Sequence, residues 1–490
     1  MRGDVRMKSN YADIAEKLST RIGRDKVYTD IVDRMSYSRD WSVRSASDTS
    51  LPDIVTLPAS TEDVVKIVKV ANEHEVPIIP CGGLTGMAGG AIVSQGGIIV
   101  DTRGMNKILE IDKENLTVTV QAGITPHKLN EELEKHGLWF PYAPESRRAS
   151  TIGSAIACRS DPALGIKYGR VESFLTSAVV VTGKGEVINV GHRKTLVSSA
   201  GYPLHWLLIG SEGTLGIITE ATLCVQPKPK SRCVDLVIFP SIEKTVKTLN
   251  RIIQAGLSIE LVYIMDMNRF QHYTHDYFAK YGKKVELPEL AEAILLISFN
   301  GDPEVVQFSR DYMKKISEEN EGKLVKEREV VEAAWTSKYT LEFEAFKQAW
   351  PDSQREKRFG ASDISVPQGK LNEAHKKFQE LTKKYKLEPY GMAVMIGVPL
   401  RIHAAISCAV YVDDKNPEEV KRFYDYIREM AEYAVSIGGS MTSYQGDGLK
   451  FGSFSSFEHG KAFDYMKEIK IIFDPKNILN PEKKFGPRIH

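Results

Sequence analysis

The stretch PCGGLTGMAGG, Pro80–Gly90, is the densest run of glycine in the chain and directly follows the strand-like run VPIIP. Glycine loses more conformational freedom on folding than any other residue, so this density indicates that something requires a bare backbone. Successive amide N–H groups without Cβ atoms can form a concavity that binds an anion. A tight turn within a packed sheet would explain the same residues, so the loop alone leaves both readings open.

Two common phosphate-binding motifs do not match this loop. A P-loop needs Lys-Ser or Lys-Thr after its last glycine, and neither follows Gly86 or Gly90. The dinucleotide pattern GxGxxG is also absent, and no helix clearly begins inside the loop. An anion held here would therefore be neutralised by main-chain amides.

Length and charge narrow the classes of function. A chain of 490 residues is too long for one core and predicts two or three domains. Its net charge of +1 gives nucleic-acid binding no electrostatic support. No apolar run approaches the ~20 residues of a membrane span, and the charged amphipathic start is unlike a signal peptide. We therefore expect a cytoplasmic protein without a transmembrane segment.

The five cysteines are scattered and include no CxxC pair, which argues against zinc or an iron–sulfur cluster in this chain. If electrons pass through the protein, an iron–sulfur relay would have to lie on a partner.

The order of strand-like and helix-like segments predicts an α+β fold. We expect a helical lead-in over residues 1–50 that packs on the following domain, and a domain over 51–229 in which several glycine-rich loops meet. The break QPKPKSR marks a boundary. Residues 230–445 alternate strands and helices, which indicates a second domain with a mixed or antiparallel sheet covered by helices. Residues 446–490 are expected to return to the first domain.

Six motifs then agree in order and spacing with one family: PCGGLTGMAGG, GIIVDTRGMNKILEID, TVTVQAGITPHKLN, APES…STIGSAIA, KYGRVESFLTSAVVVTGKGEVI and LLIGSEGTLGIITEATL. This set resembles the PCMH-type FAD-binding domain of the vanillyl-alcohol oxidase family, and most closely that of D-lactate dehydrogenase and the glycolate oxidase flavin subunit. The tail DPKNILNPEKKF resembles that family's return to the flavin. The resemblance implies a two-subdomain FAD-binding domain followed by a cap domain.

The resemblance also implies which residues hold FAD. Amides of the glycine loop would cradle the pyrophosphate, the STIGSAIA segment would lie along the ribityl chain and isoalloxazine, and the KYG and SEGTLGI segments would enclose the adenosine end. The implied set is Pro80, Gly82, Gly83, Leu84, Thr85, Gly86, Gly90, Pro144, Ser146, Thr151, Gly153, Ala157, Tyr168, Gly169, Glu212, Gly213, Gly216, Ile217 and Asn480. Relatives that attach flavin through this loop carry histidine where Leu84 stands, so we expect non-covalent FAD.

The second domain departs from its relatives at a metal site. In the glycolate and D-lactate relatives, a motif resembling HxGDGNxH and a later EHG supply ligands to a divalent metal. The corresponding stretches here read MIGVPLRIH and SYQGDGLKFG, so Ile396, Tyr444 and Gln445 replace ligands and His403 alone survives. One histidine cannot supply the three protein ligands of a catalytic site. We therefore expect no metal, which weakens the transfer of a hydroxy-acid substrate from these relatives.

Two side chains are candidates for the proton-transfer group. In IHAAISCAVYV, the even-numbered positions form an apolar strand face, and His403 lies on the opposite face, where an imidazole with an ordinary pKa of ~6.5 could take a hydroxyl proton. Tyr444 could polarise or deprotonate a substrate. The structural alternatives are a histidine bonded to a neighbour on a polar sheet face and a core tyrosine before a glycine-rich turn.

For a substrate carboxylate, arginine is the favoured partner because its guanidinium matches two oxygens. Arg358 and Arg401 are the candidates, with a surface charge as the alternative for each.

The sequence thus predicts an FAD-dependent oxidoreductase that moves hydride from a small hydroxylated substrate, such as D-lactate or glycolate, to FAD. The alternatives are an aryl-alcohol or phenol oxidase, a non-redox enzyme like alkylglycerone-phosphate synthase, and an electron-transfer subunit without its own active site. The electron acceptor stays open among oxygen, a quinone, a cytochrome and a partner subunit or electron-transfer flavoprotein, and a homodimer is possible.

Overall fold

The computed structural model consists of an amino-terminal body and a cap, which meet near Pro227. The described residues are 9–45, 48, 50–160, 163–272, 274, 291–337, 357–395 and 403–486. Both parts combine helices with β-sheets, which confirms the predicted α+β class. None of the described helices has the length and hydropathy that crossing a bilayer would require.

The first sheet of the body places the glycine loop. Its strands are β1 (Val27–Tyr28), β2 (Ile54–Thr56), β3 (Ile78–Cys81) and β4 (Ile98–Asp101), in the order β1-β2-β4-β3, with β2, β4 and β3 parallel. Helix α1 (Ser9–Ile22) packs on α3 (Thr61–His74), and α2 (Ile31–Met35) lies between β1 and β2 in sequence. The Ser60 hydroxyl caps α3 by accepting from the Asp63 amide at 3.1 Å. The loop follows β3 and therefore starts at the carboxyl end of a parallel strand.

The second sheet of the body is antiparallel and carries the other predicted motifs. Its strands are β5 (Ile108–Asp112), β6 (Thr117–Gln121), β8 (Leu175–Val181), β9 (Val187–Gly191) and β10 (Ile217–Cys224), ordered β5-β6-β10-β8-β9. Short strands β7 (Leu138–Trp139) and β11 (Gln226–Pro227) pair with each other. The helices here are α4 (Pro126–Glu134), α5 (Ile152–Ala157), α6 (Gly165–Tyr168) and α7 (His205–Leu208).

The cap contains an antiparallel sheet of seven strands within the described residues. These are β12 (Ser231–Phe239), β13 (Ile259–Asp266), β14 (Ala293–Gly301), β15 (Lys323–Leu324), β16 (Arg358–Pro367), β17 (Glu388–Met395) and β18 (His403–Val412), ordered β15-β12-β14-β13-β17-β18-β16. One face packs on α8 (Ile242–Gln254), α9 (Pro303–Glu319), α11 (Leu371–Lys384) and α12 (Pro417–Ser436). Helix α10 (Arg328–Ser337) covers part of the other face.

Strand β18 shows how the sheet faces are divided. Ala404, Ile406 and Cys408 are fully buried in the core beneath the helices, whereas Ala405 and Ser407 lie on the face toward the body. The alternation predicted for this strand is therefore confirmed, because successive side chains of a strand point to opposite faces.

The carboxy-terminal segment returns to the body, through α13 (Gly448–Phe451), α14 (Ser456–His459) and α15 (Ala462–Phe473). The Ile78 amide donates to the Ile478 carbonyl at 2.7 Å, and the Asn480 amide donates to the Ile78 carbonyl at 2.7 Å. The tail thus pairs with the strand that leads into the glycine loop.

Candidate active site

A large cavity lies between the body and the body-facing side of the cap sheet. Its empty volume, with the open mouth included, is about 1660 Å³. Most of the residues implied as FAD contacts line it: Pro80, Gly82, Gly83, Leu84, Thr85, Gly86, Gly90, Pro144, Ser146, Gly153, Ala157, Glu212, Gly213, Gly216 and Ile217. The motifs are far apart in sequence, and the fold brings them to one wall.

The glycine loop is bare for two different reasons. A Cβ on Gly83 would lie 1.8 Å from the Ala149 carbonyl oxygen, and one on Gly82 would lie 2.4 Å from the Thr151 hydroxyl. Among the described residues, a Cβ on Gly86 would meet only Asp40, at 3.7 Å. The first two glycines are therefore required by a segment of the body packed behind the loop, whereas Gly86 leaves open space. The turn reading and the anion-binding reading each explain part of the loop.

The amides of the loop are available to a ligand. In the described part of the chain, the N–H groups of Gly83, Leu84, Thr85 and Gly86 donate no hydrogen bond to a protein group, while the Gly86 carbonyl accepts from the Trp41 amide at 2.9 Å. Main-chain N–H groups that lie beside a cavity without a protein acceptor are well suited to bind a diphosphate. The residues present therefore fit the pyrophosphate of FAD.

Leu84 holds an unusual backbone conformation inside the loop. Its φ is 53°, in the left-handed region that a leucine adopts only at a cost in energy. The side chain is 4% exposed and packs with Val55, Ile79 and Ile99. The apolar contacts below the loop compensate for this strain.

Helix α5 begins where the predicted flavin-contacting segment starts. The Thr151 hydroxyl accepts from the Ser154 amide at 3.3 Å, and the Ser154 hydroxyl accepts from the Thr151 amide at 3.1 Å, which forms a capping box. Thr151 is fully buried and does not line the cavity among the described residues; it lies behind Gly82. Thr151 thus supports the loop from behind.

Tyr168 and Gly169 also lie outside the described lining of the cavity. The Tyr168 hydroxyl accepts from the Asn300 side-chain amide at 2.9 Å, and its ring packs edge-on against Trp139 at 5.4 Å between centroids. Gly169 ends α6 with a φ of 84°. The Tyr168 side chain thus lies between Trp139 of the body and Asn300 of the cap, and its contact with the adenosine end stays a prediction.

Asn480 and Glu212 tie the tail to the cavity wall. The Asn480 side-chain amide donates to the Gly90 carbonyl at 2.9 Å and to the Glu212 carbonyl at 2.7 Å. The buried Glu212 carboxylate accepts from the amides of Asp447 and Gly448, each at 2.8 Å. Asn480 thus binds the cavity wall from behind. Glu212 lines the cavity and also binds the carboxy-terminal segment.

Arg269 is the one cationic side chain among the described residues that line the cavity. It is 4% exposed, and its guanidinium carbon lies 4.8 Å from the ring centroid of Tyr390 and 5.3 Å from that of Phe359. Its amide donates to the Asp266 carboxylate at 2.8 Å, which also accepts from the Met392 amide at 2.8 Å. Stacking thus holds the guanidinium at the cap end of the cavity, while Asp266 fixes the main chain of Arg269.

Glu145, Tyr263 and Tyr444 line the same end. The Tyr263 hydroxyl donates to Glu145 Oε1 at 3.4 Å. Burial raises the pKa of Glu145, and the charge of Arg269 opposes that rise. Burial and then the charge of Asp363 raise the pKa of Tyr444 well above its ordinary value, while a hydrogen bond with Ser407 opposes this. The Tyr444 hydroxyl therefore stays protonated at neutral pH.

The other predicted catalytic residues lie elsewhere or outside the description. Arg358, at the start of β16, forms an ion pair with the buried carboxylate of Asp414 and is not among the described residues that line the cavity. Arg401 and Ile396 lie outside the described residues, as does the side chain of His403. The backbone of His403 begins β18 and pairs with Pro367.

The sequence reasoning missed Arg269, Glu145, Tyr263 and Ser407. Glu145 stands between two implied FAD contacts, Pro144 and Ser146, and this position in the sequence could have indicated that it lines the cavity. The other three lie in cap elements without a recognisable motif, and only the sheet order brings them together. Among the described residues, no three His, Cys, Asp or Glu side chains converge as ligands for a metal ion.

Residues 52–191 match the family described as FAD binding domain, and residues 228–484 match FAD linked oxidases, C-terminal domain. The glycolate oxidase subunit GlcD of Bacillus subtilis is 31% identical over 97% of this chain and 97% of its own length. D-lactate dehydrogenase of Archaeoglobus fulgidus is 29% identical over 88% of this chain and 90% of its own.

Solved structures share the fold over nearly the whole chain. A 4-ethylphenol oxidase from Gulosibacter chungangensis superposes with a TM-score of 0.81 at 15% identity, covering 98% of both chains. A p-cresol methylhydroxylase does so with a TM-score of 0.80 at 17% identity, again over 98% of both. These similarities confirm the PCMH-type fold.

Proposed function

Because the chain belongs to the FAD-linked oxidase family, and is thus an FAD-dependent oxidoreductase, we propose that it oxidises a small 2-hydroxy acid. The relatives named for glycolate and D-lactate point to this class. The observation that carries the proposal is the buried guanidinium of Arg269, the one cationic side chain among the described residues that line the cavity.

Arg269 binds the substrate carboxylate in this proposal. Its planar guanidinium can donate two parallel hydrogen bonds to the carboxylate oxygens, which fixes the adjacent carbinol carbon as well as supplying affinity. We propose Arg269 for this role instead of Arg358, the candidate from the sequence, because Arg358 forms an ion pair with Asp414.

FAD is held by the loop amides of Gly83 to Gly86 in this proposal, and Gly153 and Gly216 line the rest of the wall. When bound, FAD supplies the acceptor for the hydride from the substrate carbon. We propose that it is bound without a covalent link to the loop, because leucine at position 84 offers no nucleophilic atom.

The hydroxyl proton requires a base, and Tyr444 is not suited to that role because its raised pKa keeps it protonated. Its hydroxyl instead donates to, and orients, the substrate oxygen. His403 remains the proposed base. Position 403 lies four residues before Ser407 in β18, an even spacing that puts both positions on the same face of the strand, and Ser407 lines the cavity.

Anaerobic mixing of the FAD-loaded protein with two sets of compounds, and then with a reduced partner protein, tests the substrate class. Loss of the flavin's visible absorbance with 2-hydroxy acids supports the proposal. Loss only with benzylic alcohols or alkylphenols would favour the phenol oxidase alternative. No loss with either set, but loss when a reduced partner protein is added, would indicate an electron-transfer subunit.

A further inference from the structure

A short segment carries two side chains into the cavity and links the cap to the body. We call residues 442–448 the bridging segment; it contains Tyr444 and Gln445, which both line the cavity. The segment has no regular secondary structure before α13 begins at Gly448. Its shape must therefore be set by side chains that bind its backbone.

The cap end of the bridging segment is bound by one carboxylate. Asp363, in β16, is fully buried, and its Oδ2 accepts from the Thr442 hydroxyl at 2.7 Å. The same oxygen accepts from the amides of Ser443, Tyr444 and Gln445 at 3.1, 3.0 and 2.8 Å. These four donors, together with a cation on the other oxygen, occupy both oxygens of the carboxylate.

That cation is Lys450, whose side chain is 3% exposed. Its Nζ donates to Asp363 Oδ1 at 2.9 Å and to Gln445 Oε1 at 3.0 Å. Because an ammonium group only donates, it fixes the Gln445 carbonyl oxygen toward itself. The Gln445 amide nitrogen then lies on the other side, 3.5 Å from the sulfur of Met87 in the glycine loop.

The body end of the segment is bound in a similar way. Glu212 accepts from the amides of Asp447 and Gly448, and Lys484 forms an ion pair with Asp447. The bridging segment is thus held between a cap carboxylate and a body carboxylate. Since both carboxylates are buried, displacing either would leave buried amide donors without an acceptor, which is unfavourable.

We infer that Asp363, together with Lys450, is a positioning residue for Tyr444 and Gln445. This inference rests on the proposed function, because it assigns the two side chains to the substrate and flavin end of that same cavity. Asp363 sets the backbone of both residues, and Lys450 sets the direction in which Gln445 donates. The pair keeps these donors in place before substrate arrives, so no rearrangement is needed at the chemical step.

Asp363→Asn tests the inference in the FAD-loaded protein. Asparagine replaces one acceptor oxygen with an amide nitrogen, so we expect faster hydrogen exchange at residues 443–445. We also expect flavin reduction to slow by about 10- to 100-fold, with the KM of the hydroxy acid changing less than the rate. The matched control is Asp235→Asn, which removes a buried cap carboxylate bonded to Arg310 at 2.7 and 2.8 Å, away from the cavity.

A double-mutant cycle separates positioning from general destabilisation. If Asp363 acts through Tyr444, Asp363→Asn should slow reduction much less in a Tyr444→Phe protein than in the wild type. Equal slowing in both backgrounds, or unchanged exchange at 443–445, would overturn the inference. Hydrogen exchange at residues 443–445 is measured without substrate. If no hydroxy acid reduces the flavin of the wild-type protein, that result therefore refutes the proposed function but leaves the exchange test of the positioning residues intact.

Lys450→Gln keeps the test decisive if Asp363→Asn does not fold. Glutamine can still donate to Asp363 but presents no ammonium to Gln445. We expect exchange at 443–445 to stay close to that of the wild type while flavin reduction slows by about tenfold. If a folded Lys450→Gln protein reduces its flavin as fast as the wild type does, Lys450 does not position Gln445, and the proposed pairing of Asp363 with Lys450 is wrong.

Discussion

The guanidinium of Arg269 lies over the ring of Tyr390, with 4.8 Å between the guanidinium carbon and the ring centroid. The contact joins a residue that follows β13 to one in β17, the neighbouring strand of the cap sheet. It keeps a buried cation beside the cavity. A planar anion such as a carboxylate matches the shape of a guanidinium group.

Replacing Arg269 by methionine should raise the KM for a 2-hydroxy acid by about 10- to 100-fold, because a charge-assisted hydrogen bond to the substrate is lost. Arg310→Met, which removes a cap arginine bonded to Asp235, is the matched control. Steady-state kinetics of both proteins measure the effect. An unchanged KM in the Arg269 variant would show that the carboxylate binds elsewhere.

Tyr444→Phe should slow flavin reduction by about 10- to 100-fold without altering the acid or alkaline limits of the pH profile below pH ~10. Burial and the charge of Asp363 raise the pKa of Tyr444, so its hydroxyl is protonated below that pH and no ionisation is lost with it. A pH–rate profile from stopped-flow reduction checks this. Disappearance of a neutral-pH limb in the variant would instead identify Tyr444 as the base.

Two glycines of the loop should respond differently to alanine. Gly83→Ala places a Cβ 1.8 Å from the Ala149 carbonyl oxygen and should lower the thermal midpoint of the apoprotein. Gly86→Ala has room in the protein and should leave that midpoint nearly unchanged but weaken FAD binding, because its methyl group intrudes beside the loop amides. Gly369→Ala is the control, because no atom of the described residues lies within 4 Å of the added Cβ. Equal FAD affinity in Gly86→Ala and wild type would place the diphosphate elsewhere.

Acid precipitation of the FAD-loaded protein should release the flavin into the supernatant. The reason is chemical: the side chain of Leu84 packs into the core below the loop and carries no atom that could bond to the isoalloxazine. Absorbance of the two fractions measures the outcome. Yellow colour on the washed pellet would mean that another residue attaches the cofactor.

The sequence predicted the fold well because its signals are local. The glycine loop after β3 and the alternation of β18 each follow from neighbouring residues. Most residues of the cavity wall could also be named from the sequence, because their motifs are short and contiguous. The reason for Gly82 and Gly83 could not be found, since the segment that approaches them lies about seventy residues further along the chain.

The catalytic end was predicted less well because it is built from distant positions. Arg269 follows one cap strand, Ser407 lies in another and Glu145 comes from the body. No spacing in the sequence relates them, and only the order of the sheet does. The sequence offers Arg358 as a partner for the substrate carboxylate, but in the structure Arg358 forms an ion pair with Asp414.

Comparing lactate with 1,2-propanediol tests the central claim most directly. The diol keeps the secondary hydroxyl but lacks the carboxylate, so anaerobic flavin reduction of the wild type should be at least about 100-fold slower with it. In Arg269→Met this preference should largely vanish. Equal reduction by both compounds in the wild type, or a preference that survives in the variant, would contradict a hydroxy-acid oxidase whose substrate is held by Arg269.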